Sequence, residues 1–191
     1  SLDSWNKYFY LHTNENAENF KVIRSSHKIP ESFEEVIKPK KNTLIGNPIM
    51  LVDWMIWIEK KNANYFIYVR NNSNMQTREL NLFKNNVKQI SCALYEKNDN
   101  SNYIYISYST PITTNKTLLF NLKTNKYKVV KTQIIPSGFN EKNYIVERLY
   151  ANSHDNKQIP LTIIRHKKTK IDGKAKVCLL YTSDAADDVI S

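Results

Sequence analysis

The sequence has 191 residues, enough for one domain of ordinary size or for pieces of two. It is 41% hydrophobic and 24% charged, and its seven Phe, twelve Tyr and three Trp can fill a core, which excludes a disordered tail. The only glycines are Gly46, Gly138 and Gly173. Phosphate-binding loops, dinucleotide-binding turns and nucleophile elbows need two or three closely spaced glycines, so the chain contains none of these sites.

The chain is basic, with 28 Lys and Arg against 18 Asp and Glu and a net charge of +10. Of the basic residues 23 are lysines, and these are scattered along the chain. Proteins that recognise nucleic acids favour grouped arginines beside stacking aromatic residues. We therefore expect a solvated basic surface and no nucleic-acid partner.

The ends and the cysteines indicate little about the compartment. No apolar run reaches the roughly 18 residues of a membrane span, so no membrane partner is expected. Residues 1–5 contain neither a start Met nor a signal sequence, and we expect that the chain is cut from a longer protein. A cytoplasmic location is expected, with a periplasmic one left open. Cys92 and Cys178 cannot make a disulfide framework, and the apolar neighbours of Cys92 predict a buried thiol.

Before residue 131 the apolar residues mostly alternate with polar ones, which is the pattern of half-buried strands. It predicts strands at 8–11, 20–24, 33–37, 49–52, 54–58, 65–69, 79–83, 90–94 and 103–108, and a hairpin of 117–122 with 127–130. Trp54 and Trp57 lie in one of the apolar runs, which favours core packing over ligand stacking. No segment before residue 140 has the 3.6-residue period of an amphipathic helix.

The predicted strands fall into three groups, at 5–39, 47–83 and 87–131, each with three or four short strands joined by polar turns. The groups recur about every 40–45 residues, which is the period of a four-stranded propeller blade. A two-sheet sandwich would also contain many short strands. The repeat favours the propeller.

The pattern changes after residue 131. Pro136 and Gly138 predict a linker over 136–143. Two longer strands, at 144–151 and 159–165, then flank a polar turn, and another apolar run begins at 176. The linker is therefore the predicted domain boundary.

Several motifs occur in one order along the chain. They are Phe9-Tyr10-Leu11-His12-Thr13-Asn14, Ala17-Glu18-Asn19-Phe20-Lys21, Tyr105-Ile106-Ser107-Tyr108-Ser109-Thr110-Pro111-Ile112-Thr113-Thr114, Gly138-Phe139-Asn140-Glu141-Lys142-Asn143-Tyr144, Glu147-Arg148-Leu149, and Asp155 with Ile159-Pro160-Leu161. Together they resemble oligopeptidase B, a branch of the prolyl oligopeptidase family of serine peptidases. The chain departs from that branch where His154-Asp155-Asn156 replaces Arg-Asp-Gly, which keeps a turn-forming pair.

The resemblance implies an all-β piece of a larger fold. Residues 1–135 would form about the last three four-stranded blades of a seven-bladed β-propeller, and residues 136–143 the linker. Residues 144–177 would be the first β-hairpin of an α/β-hydrolase domain. Residues 178–191 resemble the translation of a transposase adapter used in sequencing libraries, and we expect them, with Cys178, to be foreign to the protein.

The resemblance also implies a function for the parent protein. It would be a serine endopeptidase that hydrolyses short peptides after Lys or Arg, acting without a cofactor as a monomer or small oligomer. A prolyl oligopeptidase that cuts after Pro and a non-enzymatic propeller scaffold are the alternatives. The family's catalytic Ser, Asp and His are expected beyond residue 177, so no catalytic, cofactor-binding or metal-binding residue is expected in this chain.

Two sets of residues within the chain could suggest a site. Ser153, His154 and Asp155 are the residue types of a catalytic triad, but a triad converges from separate elements, so a hairpin turn is predicted here. The histidines are His12, His27, His154 and His166, and none of them forms the closely spaced pair that zinc sites usually show.

Overall fold

Antiparallel strands make up nearly all of the regular structure. The computed structural model describes residues 2–5, 7–80, 82, 91–96 and 102–180, without the side chains of residues 30, 31, 91, 92 and 96. The first sheet contains β1 (Leu2–Trp5), β2 (Tyr8–Thr13), β3 (Lys21–Ser26) and β4 (Ile29–Ile37), and the second contains β5 (Thr43–Ile45), β6 (Ile49–Met50), β7 (Trp54–Lys61), β8 (Asn64–Asn71) and β9 (Thr77–Glu79). The third contains β10 (Ser91–Glu96), β11 (Tyr103–Thr110), β12 (Thr113–Asn121) and β13 (Tyr127–Thr132), and β14 (Tyr144–Asn152) pairs with β15 (Gln158–His166) as a separate hairpin.

Each of the first three sheets follows the order of the chain, as expected for short strands joined by tight turns. The turn between β7 and β8 has two central residues, Asn62 and Ala63, with φ of 49° and 57°. Positive φ at both positions is the type I′ geometry, whose twist matches that of the flanking strands. Asn is favoured in this conformation and Ala is not, so Ala63 is the strained member of the turn.

The second sheet is buried on both faces. Along β7, Met55 and Trp57 pack toward the first sheet, whereas Trp54 and Ile56 pack toward the third. Successive side chains on a strand point to opposite faces, so the unbroken apolar run of β7 supplies two interfaces at once. The burial of Trp54 and Trp57 confirms the predicted core packing.

Two interfaces, here called seams, therefore stack the three sheets face to face. The first seam joins the first and second sheets through the buried Tyr10, Val22, Ile37, Ile45, Met55 and Trp57. The second seam joins the second and third sheets through the buried Leu51, Trp54, Ile56, Ile67, Val69, Leu80, Ile104, Ile106, Leu118, Phe120 and Leu122. Consecutive small antiparallel sheets stacked in this way are the arrangement of a propeller.

The outer faces of the first and third sheets keep large side chains in solvent. Phe9 and Phe33 are 36% and 55% exposed on the first sheet, and Tyr95 and Tyr103 are 56% and 39% exposed on the third. The strand register places each of these residues on the face opposite to a seam.

The strands predicted from the sequence differ from the observed ones at several short strands. The prediction missed β1 and β5, which are short, and it placed β9 at 79–83, whereas the strand spans Thr77–Glu79. The strand predicted at 49–52 ends at Met50, because the chain reverses and Leu51 pairs back to Trp54. Of the predicted 79–83 segment, residues 81 and 83 lie outside the described residues, as does the Cys92 side chain.

The first strand of the second sheet is divided by a close backbone approach at Gly46. The Gly46 N–H donates to the Ile58 carbonyl at 2.8 Å, and a Cβ at position 46 would lie 3.0 Å from that oxygen. Glycine lets the chain pass there and continue from β5 to β6 along β7.

Residues 136–143 contain a turn and one short 3-10 helix, Glu141–Asn143. The Asn140 side chain accepts a hydrogen bond from the Lys142 N–H and caps this helix, and Glu141 forms an ion pair with Lys116 of β12 at 3.4 Å. The β14–β15 hairpin follows, and one of its faces exposes Leu149, Ile159, Leu161 and Ile163. The hairpin therefore presents an apolar face that nothing in the described part of the chain covers.

Candidate functional site

Ser153, His154 and Asp155 lie in the turn between β14 and β15. The Ser153 hydroxyl donates to the Asp155 carboxylate, and the same oxygen accepts the Lys157 N–H at 3.1 Å. The Ser153 backbone N–H donates to the Lys157 carbonyl at 2.9 Å. A nucleophilic serine would instead bond to a histidine base, so this geometry is that of a closed turn.

The Asp155 carboxylate is the most perturbed acid of the described residues. A hydrogen bond from the Lys157 ammonium, at 2.7 Å, and a second from Ser153 lower its pKa to about 2. The same pairing raises the pKa of Lys157. Asp155 therefore stays ionised at neutral pH and acts as an acceptor that fixes the turn.

The four histidines are held apart in different surroundings. His12 Nε2 lies 2.8 Å from the Ile45 carbonyl oxygen, and its ring stacks on Phe20 with 4.6 Å between centroids. His166 Nδ1 accepts the Lys168 N–H at 3.1 Å, whereas His154 lies in the β14–β15 turn. Within the described residues, no three His, Cys, Asp or Glu side chains come together as a metal site.

His27 forms a contact with a serine that the sequence analysis missed. Its Nε2 lies 3.2 Å from the Ser4 hydroxyl oxygen, and its ring lies 4.1 Å from that of Phe9. Ser4 and His27 are 23 residues apart and meet only because of the register of β1, β2 and β3, so no local motif could have shown the pair. No carboxylate of the described residues orients the imidazole, so the pair lacks the third member that catalytic serines use.

The first seam contains a buried carboxylate, Glu59, which is 3% exposed. Its Oε1 atom accepts from the Lys40 ammonium at 2.5 Å and from the Trp57 indole N–H at 3.0 Å. Burial raises the pKa of the adjacent Tyr68, and the charge of Glu59 raises it further. Because its carboxylate is committed to two donors, Glu59 is held in place and is not free to act as a base.

A cavity of about 270 Å³ opens at the outer end of the second seam. Its walls mix charged and apolar side chains, namely Arg78, Glu79, Leu80, Leu82, Phe120, Asn125 and Tyr127. The Arg78 guanidinium donates to the Leu122 carbonyl at 2.6 Å, and burial lowers the pKa of Arg78. This guanidinium serves to tie the second sheet to the third, across 44 residues of sequence.

The stacked sheets match a known family. Residues 1–133 match the model of the prolyl oligopeptidase N-terminal beta-propeller domain. The chain belongs to the prolyl oligopeptidase family. Members of this family are serine peptidases, and the propeller suggested by the strand repeat is the family's own.

Relatives and solved structures extend the match beyond the propeller sheets. Prolyl oligopeptidase A of Galerina marginata is 23% identical over 169 residues, 88% of this chain and 22% of that protein. The dual function macrocyclase-peptidase POPB of Amanita bisporigera is 25% identical over 168 residues, 87% of this chain and 23% of that protein. Oligopeptidase B from Trypanosoma brucei, in a closed form with covalently bound antipain, superposes on 90% of this chain and 25% of its own with a TM-score of 0.77 at 16% identity.

The chain therefore spans about a quarter of the length of the relatives that it matches. None of the helices in the described residues is long and apolar enough to span a membrane.

Proposed function

We propose that this chain is part of a serine endopeptidase that hydrolyses short peptides, with residues 1–135 in its propeller and residues 144–177 at the start of its hydrolase domain. The match of residues 1–133 to the propeller family carries this proposal. The family match ends three residues before the turn at Pro136, and the last strand of the stacked sheets also ends before that turn. The uncovered apolar face of the β14–β15 hairpin supports the second part, because such a face needs a further layer of structure.

The propeller would act by exclusion. A ring of blades over a peptidase site admits flexible peptides and keeps folded proteins away from the nucleophile. The described residues form stacked sheets with apolar seams, which would give such a filter its rigidity. Ser153 and Asp155 are hydrogen-bonded to each other in a turn. Catalytic Ser, Asp and His residues would accordingly come from a part of the enzyme other than residues 1–177.

Two specificities have support. The order of motifs in residues 9–161 favours the oligopeptidase B branch and cleavage after Lys or Arg. The relatives found by sequence are named prolyl oligopeptidase A and macrocyclase-peptidase POPB, which favours cleavage after Pro. The motif order is our reason for placing Lys or Arg first.

The complete protein should be tested with fluorogenic peptide amides that carry Lys, Arg or Pro before the scissile bond. We expect turnover of one class, inhibition by a serine-directed acylating reagent, and unchanged rates in Ser153→Ala and Asp155→Ala variants. The 191-residue chain by itself should hydrolyse none of these substrates. Turnover by this chain that survives removal of host proteases and is lost in Ser153→Ala would refute the assignment of Ser153 to a turn. A complete protein that hydrolyses neither class would instead support a binding scaffold.

A further inference from the structure

The third sheet ends in an edge strand that is exposed along its whole length. β13 is the last strand in the order of that sheet, so β12 is its only partner among the described residues. All six residues of β13 are exposed. Even on the face of the second seam, Tyr127 and Val129 are 52% and 53% exposed. One row of backbone N–H and C=O groups is therefore open to pairing with another extended chain.

A β-bulge brings two lysines of β13 to one face. Lys128 lies opposite Leu119 of β12. Lys131 lies opposite Thr117, and the register shifts at Val130, which has no partner in the ladder. Residues three apart in a regular strand would point to opposite faces, but Leu119 and Thr117 are two apart and share one. The extra residue therefore places both lysines on the face opposite to the second seam.

Lys126 extends this row by one step. Its carbonyl accepts the Asn121 N–H at 2.8 Å in the turn before β13, and it lies two residues before Lys128, on the same face. The three lysine side chains thus leave the strand at intervals of about 7 Å, the spacing of alternate residues in an extended chain. We call Lys126, Lys128 and Lys131 the lysine row.

No carboxylate neutralises the lysine row. Residues 101–140 contain five lysines and no Asp or Glu. Of these lysines, Lys116 pairs with Glu141 at 3.4 Å, whereas none of the row forms an ion pair with a described residue. The edge of the third sheet is therefore a line of unpaired positive charge beside unpaired backbone groups.

A second copy of this chain is poorly suited to that edge. The acidic side chains described on β4, the edge strand of the first sheet, are Glu34 and Glu35. Both already form ion pairs within their own sheet, with Arg24 and with Lys21. Two copies would also repel each other, because each has a net charge of +10. The complementary occupant is an acidic segment of another protein.

We propose that β13 is a docking edge for an acidic, extended segment of a partner protein, which adds to the third sheet as a further strand. Its main-chain groups pair with the open edge, and carboxylates at alternate positions face the lysine row. Lysines on an edge strand oppose pairing with apolar or basic strands, so the row that protects the edge also selects the partner. Each exposed ion pair changes the affinity by up to about fivefold.

Three labelled peptides of equal length test the proposal on the unchanged 191-residue chain by fluorescence anisotropy. The first has Glu at alternate positions between Thr and Val. The second has the same composition with its glutamates consecutive, and should bind about fivefold more weakly because fewer carboxylates reach the lysine row. The third is the alternating peptide N-methylated along its backbone, which keeps the charges, removes the donors for strand pairing and should not bind. A single-stranded oligonucleotide of equal charge should bind no more tightly than the second peptide.

Two double variants locate the binding edge. Lys128→Glu with Lys131→Glu should raise the Kd of the alternating peptide by about tenfold or more. Lys168→Glu with Lys170→Glu, in the exposed loop after β15, changes the net charge equally and should leave the Kd within about twofold, because distant surface charges are screened by salt. Bound peptide should also slow hydrogen exchange of the Tyr127–Thr132 amides.

Several results would overturn the proposal. They are no saturable binding of the alternating peptide, equal binding of all three peptides, tighter binding of the oligonucleotide, or equal losses in the two double variants. Equal binding of the N-methylated peptide or tighter binding of the oligonucleotide would indicate a surface that attracts any polyanion. The peptide comparison decides even where a variant folds poorly, because it uses the original chain.

Discussion

The two seams of the second sheet differ in chemistry although β7 supplies side chains to both. The second seam contains eleven buried apolar residues. The first contains six, and beside them lie the buried Glu59 and the buried Arg70. Apolar burial stabilises by about 25 cal/mol per Å², whereas a buried ion pair seldom gains more than its desolvation costs. The second seam therefore provides most of the cohesion, whereas the hydrogen bonds of Glu59 and Arg70 in the first seam go to Lys40, Trp57 and Met55.

The largest effect is expected from a cavity in the second seam. Ile56 is completely buried there, so Ile56→Ala should lower the free energy of unfolding by about 2–5 kcal/mol. Urea denaturation followed by tryptophan fluorescence measures this loss. Val52→Ala, at a site 46% exposed, is the control and should change stability by no more than about 0.5 kcal/mol. Equal losses in the two variants would show that the second seam is not the cohesive one.

Removing the buried guanidinium of Arg70, whose Nε has no hydrogen-bond partner, should make the first seam resemble the second. Arg70→Met should raise the free energy of unfolding by about 1–4 kcal/mol, because a well-packed apolar side chain replaces a buried charge. The same urea titration tests this expectation. A decrease would mean that Arg70 makes a net favourable contribution to the first seam.

Breaking the buried carboxylate site should weaken the first seam. Glu59→Gln keeps the shape of the side chain but loses the charge that Lys40 and Trp57 bind, and should cost about 1.5–3 kcal/mol. The matched control is Glu34→Gln, whose side chain is 59% exposed and whose pair with Arg24 contributes at most about 1 kcal/mol. Chemical denaturation at neutral pH should separate the two variants; if they lose the same stability, burial of Glu59 does not matter.

The smallest effect concerns the hairpin turn, which belongs to neither seam. The pKa of Asp155 is lowered in the folded chain from 3.8 to about 2, so its contribution is present above pH 4 and is lost as the pH falls toward 2. Carboxyl NMR titration should give a midpoint near 2 that moves upward in the Lys157→Met variant. Asp155→Asn should flatten the pH dependence of the hairpin over the same interval. A midpoint near 3.8 in the original chain would contradict the Lys157 contact.

Sequence patterning predicted the strands more reliably than their partners. The run from Trp54 to Ile58 predicted a strand with a buried core, yet an unbroken apolar run does not show that alternate side chains serve different seams. The short β1 and β5 were missed because three or four residues cannot establish a period. The Ser153 turn was predicted because it is local. The Ser4–His27 contact and the buried Arg70 depend on register and stacking, for which the sequence has no local signal.

The open outer faces of the stack have a consequence for symmetry. The first sheet ends the stack with Phe9 and Phe33, and the third ends it with Tyr95 and Tyr103, so the two ends are different surfaces. Contact between unlike surfaces is heterologous, and each added copy presents a fresh end to the next. Self-association of the 191-residue chain by itself through these faces is therefore a linear polymerisation that closes only where the rotation between neighbouring copies completes a ring.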